Sequence, residues 1–218
     1  TFGGRKELAS KNGMFTCYEL SRIVMERCKT AREAIELIDF LTKEYGYIDV
    51  GECLTISDPN EVWHFEIVGP GKDKDGNDKK GAAWAAIRIP DDHIGVCANA
   101  SRIGEINLNS PDHKASSNIF ELAISNGWWN EKSGKPFRFF EAYNPDGRFS
   151  FSCTRREWRV FSLLSPSLNL SPNANEFPFT IKPEKKVSPA TIMEIFRDTF
   201  ENTEFDMTKF MVSPKKEK

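Results

Sequence analysis

The stretch GECLTISDPNEVWHFEIVG, residues 51–69, commits this chain to antiparallel sheet. Apolar and polar residues alternate on both sides of Asp58-Pro59-Asn60, and that tripeptide is a turn signal. Aspartate suits the first turn position and proline presets the backbone of the second. A hairpin follows, with Trp63, Phe65 and Ile67 on one face and Val62, His64, Glu66 and Val68 on the other. Ahead of it the period changes to that of a helix. Thr16 with Glu19, and Thr30 with Glu33, have the spacing of capping boxes, in which each side chain caps the other's backbone N–H. Leu20, Ile23, Val24 and the stem of Arg27 form the buried stripe of a first helix. Ala34, Ile35, Ile38 and Leu41 form that of a second, which stops at Gly46.

After the hairpin, GPGKDKDGNDKKG is polar, glycine-rich and of mixed charge, with no phosphate-binding pattern, so it reads as a solvated hairpin connection. AAWAAIRIP is the next strand and HIGVCAN the one after, which makes a four-stranded antiparallel meander. SSNIFELAISNG reads as a short helix with a serine cap and a stop at Gly127. FRFFEAYNPDGRFSFSC is aromatic and fits strand or loop. TRREWRVFSLLSPSL carries a third box, Thr154 with Glu157, and its helix ends before Pro166. SPATIMEIFRDTF opens a last helix with Ser188 as cap and Pro189 in the first turn. Residues 165–178 form a long crossing loop. The expectation is one α+β domain over residues 1–218, helices layered on antiparallel sheet.

Composition narrows the function classes. The 218 residues are 39% hydrophobic and 28% charged with a formal net charge of -2, so nothing points to nucleic acid or an anionic membrane surface as partner. No apolar run reaches the roughly 20 residues of a spanning helix. The 17 phenylalanines imply an aromatic core. Cys17, Cys28, Cys53, Cys97 and Cys153 are scattered, odd in number and contain no CxxC pair, which argues against a zinc site or a disulfide framework. No metal or cofactor is called for.

Chemistry concentrates in HIGVCANASRIGEI, where Asn99, Ser101 and Arg102 arrive together beside Cys97 at a strand end. The cluster is either part of an active site or a capped strand end. Arg155 and Arg156 fall in the first turn of the helix expected after Thr154, where the helix dipole disfavours cations. They are either solvated, or one of them reaches into a cleft to meet negative charge. A couple of His64 with Cys97 or Cys53 finds no support in the spacing. His113 reads as exposed and Asp91-Asp92 as a turn. Thr1 would be a nucleophile only as a matured terminus, of which TFGG carries no other sign.

Four blocks in order, ELSRIVMERCKTAREAIELIDFLTKEYGY, GECLTISDPNEVWHFEIVGPG, WAAIRIPDDHIGVCANASRIGEI and TRREWRVFSLLSPSL, resemble the cysteine dipeptidases of the dipeptidase A type. These are N-terminal-nucleophile hydrolases related to penicillin V acylase and bile-salt hydrolase. The resemblance implies an αββα sandwich, here partial, with antiparallel sheets between helix layers. It also implies hydrolysis of short peptides by a cysteine at the mature N-terminus, whose own α-amino group moves the proton. By the same resemblance Asn99 is an oxyanion donor and Arg156 the late active-site arginine, with Arg159 as the second and a candidate for holding substrate. Beside the resemblance, Arg102 is a candidate for binding the substrate's carboxylate. None of the five cysteines lies in the nucleophile's context, so the chain is expected to be an internal portion, inactive without the remainder of its parent chain. A homo-oligomer stays open. The alternatives are an amide acylase of the same fold and a non-catalytic ligand-binding domain on that scaffold.

Overall fold

Both helical capping boxes form in the computed structural model, which describes residues 2–147 and 150–209. Thr16 and Glu19 cap α1 (Cys17–Arg27), and Thr30 and Glu33 cap α2 (Ala31–Tyr45). Gly46 ends α2 at φ 80°, where a Cβ would meet the Asn12 carbonyl oxygen at 2.4 Å, so only glycine fits there. The expected stripe is buried, with one change: Arg27 is exposed, and Cys28 packs against the core at the end of α1. Thr1 and the closing SPKKEK lie outside the described residues, as do Arg148 and Phe149 of the aromatic stretch.

Strands β1 (Gly51–Ser57) and β2 (Val62–Val68) pair antiparallel from Gly51↔Val68 to Ser57↔Val62. Asp58 closes the turn, accepting hydrogen bonds from the N–H groups of Asn60 (2.7 Å) and Glu61 (3.1 Å) through Oδ1. Trp63, Phe65 and Ile67 share one face, as the alternation predicts, and meet Leu20, Ile35, Ile38 and Leu41 of the helix pair. The opposite face is buried too, except at Val62 at the strand's start. Val68 joins Ala83, Ala85 and Ile87 of β3 (Ala83–Ile89) in a second core. That core is covered by Ile103, by α3 (Ile119–Ser125) and by α4 (Phe139–Tyr143). The fold is therefore α+β, with antiparallel sheet between helical layers.

The fourth strand differs from expectation. The sheet runs β1-β2-β3-β5, and the neighbour of β3 is β5 (His113–Ala115). HIGVCAN is extended only at β4 (Ile94–Gly95), which pairs with β6 (Thr180–Ile181) in a separate two-stranded ribbon. Pro90 has no N–H for the ladder and starts a turn closed by His93 N–H donating to its carbonyl, so the chain leaves the sheet there. Period two identifies an extended segment but not its partner. His113 is accordingly half-buried in β5, and that burial holds its pKa below the ordinary value.

Helix boundaries also shift. At α3 the cap position is Asn118, which makes no capping bond and instead donates to the Ala82 carbonyl at 3.0 Å; Ser116 accepts from Trp84 N–H. Helix α5 (Phe151–Leu164) begins a turn ahead of the expected box. Its Thr154 is an interior residue whose hydroxyl donates to the Ser150 carbonyl. Glu157 is drawn into the protein instead of back to the cap. Helix α5 ends before Pro166 and packs Trp158, Phe161 and Leu164 against Ile181 and Ile94 of the ribbon. The last helix, α6 (Pro189–Arg197), has Ser188 as its cap, as expected, and Thr191 completes a box with it.

The aromatic centre of the sheet gives a direct test. Phe65 is fully buried and stacks on Trp84 with ring centroids 5.3 Å apart. Phe65→Ala is expected to destabilise the fold by about 3–5 kcal/mol, read from the midpoint of urea unfolding. Tyr18→Ala, on the exposed side of α1, is expected to stay within about 0.5 kcal/mol.

Candidate active site

The strand end that gathers Asn99, Ser101 and Arg102 is held by an acid from the neighbouring sheet. Glu66 lies on the inner face of β2 and is fully buried. Its Oε1 accepts from His64 Nε2 at 2.7 Å, from Ile103 N–H at 3.3 Å and from the N–H of Arg102. Its Oε2 accepts from the Ser101 hydroxyl. Ser101 N–H donates to Asn144 Oδ1 at 3.0 Å. Such convergence of donors is what makes a buried carboxylate tolerable.

Arg102 continues the same network inward. Its guanidinium is out of contact with solvent, donates from Nη1 to Glu157 Oε2 at 2.7 Å, and reaches the Pro178 carbonyl from Nη2. This geometry does not let it bind a substrate carboxylate: the guanidinium is buried and both Nη groups are engaged inside the protein, fastening α5 to the strand end.

Asn99 and Arg156 are brought together. Asn99 forms the bend Ala98–Ala100 at φ 61°, a conformation asparagine tolerates better than most residues, and its side chain is exposed. Arg156, on α5, donates from Nη1 to Asn99 Oδ1 at 3.1 Å and from Nη2 to the Ala98 carbonyl at 2.9 Å. Its Nε donates to the Ser152 carbonyl at 2.7 Å, which steadies the guanidinium. Cys153 Sγ lies 3.6 Å from the Asn99 carbonyl oxygen. Because α5 starts at Phe151, neither Arg155 nor Arg156 sits in a first turn. Arg155 stacks on Phe205 with 3.9 Å to the ring centroid.

Arg159 turns away from the bend. It forms a forked ion pair with Asp198 beyond α6, Nε donating at 2.8 Å, and also donates to the Glu201 carbonyl. Arg159 therefore ties the segment after α6 to α5, and as folded it does not share a site with Asn99. The Arg159 hydrogen bonds hold the Asp198 carboxyl below the ordinary carboxylate range.

Beside the bend, Cys97 faces Cys53 of β1 with 2.8 Å between the sulfurs. The hydrogen bond from Cys97 pulls the Cys53 thiol down to about 7 against the opposing effect of burial, and the same contact pushes Cys97 up. A groove of about 620 Å³, lined by Trp63, His64, Pro90, His93 and Cys97, opens next to the pair. His64 Nε2 is committed to Glu66 and His93 Nδ1 lies 2.9 Å from Thr180 Oγ1, while the charge of His64 helps to lower the Cys53 thiol. Among the described residues, no group of three or more His, Cys, Asp or Glu side chains is placed to hold a metal ion. No described helix is long and apolar enough to cross a membrane.

With this geometry in hand, the sequence matches the model of peptidase family C69 across residues 1–218. The chain belongs to peptidase family C69. It is 28% identical over 197 residues to a probable dipeptidase of Latilactobacillus sakei, covering 90% of this chain and 39% of that protein. It is 28% identical over 209 residues to the probable dipeptidase B of Lactococcus lactis subsp. lactis (strain IL1403), covering 92% and 40%. Dipeptidase A of Lactobacillus helveticus is 21% identical over 196 residues, covering 87% and 37%. The chain thus spans about two fifths of the length of these C69 relatives.

Glu66, Glu157 and the Cys53–Cys97 contact escape sequence reasoning. The one available signal is an acid between Phe65 and Ile67, on a strand whose other members, His64 apart, are apolar. Removing that acid in this C69 chain leaves buried N–H groups without an acceptor. Glu66→Ala is expected to cost about 3–5 kcal/mol in urea unfolding, whereas a loss under about 1 kcal/mol would remove Glu66 as the fastening of the strand end. A second expectation concerns acid. Asp198 has a depressed folded pKa, so its pairing with Arg159 contributes above the ordinary aspartate value of about 3.9 and is lost as pH falls through the lower folded value. Amide exchange at residues 198–206 is expected to accelerate there, and Arg159→Ala to produce the same loosening at neutral pH.

Proposed function

We propose that this chain carries the oxyanion-binding part of a cysteine dipeptidase active site that hydrolyses short peptides. The observation that supports this best is the Arg156–Asn99 contact at an exposed bend. A guanidinium accepted at Oδ1 fixes which way the amide faces and polarises its N–H₂, the group an oxyanion would need. The names of the C69 relatives support dipeptides as the substrate class.

In this reading the attacking thiol is that of an N-terminal cysteine in the parent chain. Its α-amino group, with an ordinary pKa of about 7.7–8.0, takes the thiol proton as the C–S bond forms. The carbonyl oxygen becomes an oxyanion facing Asn99. The C–N bond then breaks, the departing amine takes the proton, and water hydrolyses the thioester. The five cysteines of this chain suit other roles. Cys17 is pushed up to about 11 by burial and Cys28 is raised by burial, Cys53 and Cys97 engage each other, and Cys153 packs below the bend. The 218 residues alone are accordingly proposed not to turn peptide over. Arg156 acts through Asn99 as a positioning residue, and Arg102 and Arg159 act through the scaffold.

The test uses the full-length protein and a panel of dipeptides. Asn99→Ala is expected to lower kcat by about 10²–10³ with KM little changed, as for loss of one oxyanion donor. Arg156→Ala is expected to lower kcat as well, and the double variant to be no slower than Asn99→Ala, because the arginine works through the amide. Near-normal turnover by Asn99→Ala would overturn the assignment.

A further inference from the structure

We propose that Cys53 and Cys97 are an oxidisable dithiol, a modification site for hydrogen peroxide whose disulfide product repositions the bend carrying Asn99. The two residues come from different parts of the fold. Cys53 projects from the inner face of β1, opposite Glu66 in the β1–β2 register, while Cys97 stands two residues before Asn99 in the segment that leaves β4. Their sulfurs are 2.8 Å apart, against about 2.05 Å in a disulfide, so closing the bond takes only a small movement of one side chain or of the bend. Both thiols are half-buried rather than sealed, and Cys97 lines the 620 Å³ groove, which gives a small oxidant a route.

The chemistry assigns the two sulfurs different parts. The contact between the sulfurs lowers the Cys53 thiol and raises that of Cys97, so Cys53 is the attacking sulfur. Cys53 sulfur attacks one peroxide oxygen and the O–O bond breaks. The departing hydroxide takes up a proton as water, leaving a sulfenic acid on Cys53. Cys97 sulfur then attacks Cys53 sulfur and the S–O bond breaks. The proton of the Cys97 thiol joins the second hydroxide as water. Two thiols and one peroxide become one disulfide and two waters, the sulfurs losing the two electrons that the peroxide gains. Cys53 sits in a hydrogen-bonded strand, whereas Cys97 sits where regular pairing has ended, so the adjustment falls on the Ala98–Ala100 bend. That displacement acts on the Arg156 contact.

The experiment treats the full-length protein with hydrogen peroxide, alkylates the remaining thiols and maps peptides without reduction. The expected result is a crosslinked pair of peptides carrying Cys53 and Cys97, lighter by two hydrogens and separated by dithiothreitol, while Cys17, Cys28 and Cys153 remain alkylatable. In Cys97→Ser the product is expected to stop at a sulfenic acid on Cys53 that dimedone traps. Amide exchange at residues 97–101 is expected to differ between the oxidised and reduced protein. Cys53 and Cys97 both staying alkylatable after peroxide, or Cys53 crosslinked to a different cysteine, would overturn the dithiol. A Cys53–Cys97 crosslink with unchanged exchange at the bend would overturn its hold on Asn99. All of these readouts stand apart from peptide hydrolysis.

Discussion

A fully buried carboxylate organises this molecule. Glu66 collects the backbone of Arg102 and Ile103, the hydroxyl of Ser101 and the ring of His64, and so joins β2 to a segment more than thirty residues away in sequence. An acid in that position is costly by several kcal/mol unless its lone pairs are filled, and the strand end fills them. The second buried acid, Glu157, then takes the guanidinium of Arg102 and sets α5 against the same segment. Arg156 lies one residue before Glu157 on that helix, so its contact with Asn99 follows from the two acids behind it. The exposed amide is the outermost member of a series of contacts that begins in the sheet.

This order of dependence explains which parts of the molecule were legible in the sequence. Capping boxes at Thr16 and Thr30 are local, within one turn of chain, and both form. The face of β2 bearing Trp63, Phe65 and Ile67 follows from alternation alone. The other face was harder, because His64 and Glu66 look like solvent-facing residues until a loop from elsewhere covers them. The partner of β3 differs from expectation for the same reason: extended chain is local information, and pairing is not. At α5 the Thr154–Glu157 spacing imitates a cap, but Glu157 has a stronger use in the buried pair with Arg102. In each miss, a distant partner outweighed a nearby one.

The three arginines and one asparagine expected in the site separate along that same line. Arg102 carries a single buried ion pair to Glu157 and Arg159 a forked one to Asp198, and neither partner is close in sequence. No spacing rule could have shown that. Asn99 and Arg156 were nominated by family resemblance, and the fold brings them to 3.1 Å across 57 positions of chain. Resemblance carried information that periodicity lacked, since it compares whole folded solutions and not single elements.

Asn99 answers two physical demands at once. Its backbone stands at φ 61°, where a side chain with a Cβ carries about 1–2 kcal/mol of strain and asparagine is among the few residues that visit readily. Its side chain accepts from Arg156 and offers the amide. An alanine at this position therefore loses both the amide and the local backbone preference, and a fall in turnover alone would mix the two. Glycine keeps the bend and removes the amide, whereas aspartate keeps the acceptor for Arg156 and removes the N–H₂. If the bend matters only as a shape, glycine retains turnover. If the amide is the oxyanion donor, glycine and aspartate fall together to the level of alanine while stability follows the backbone and not the chemistry.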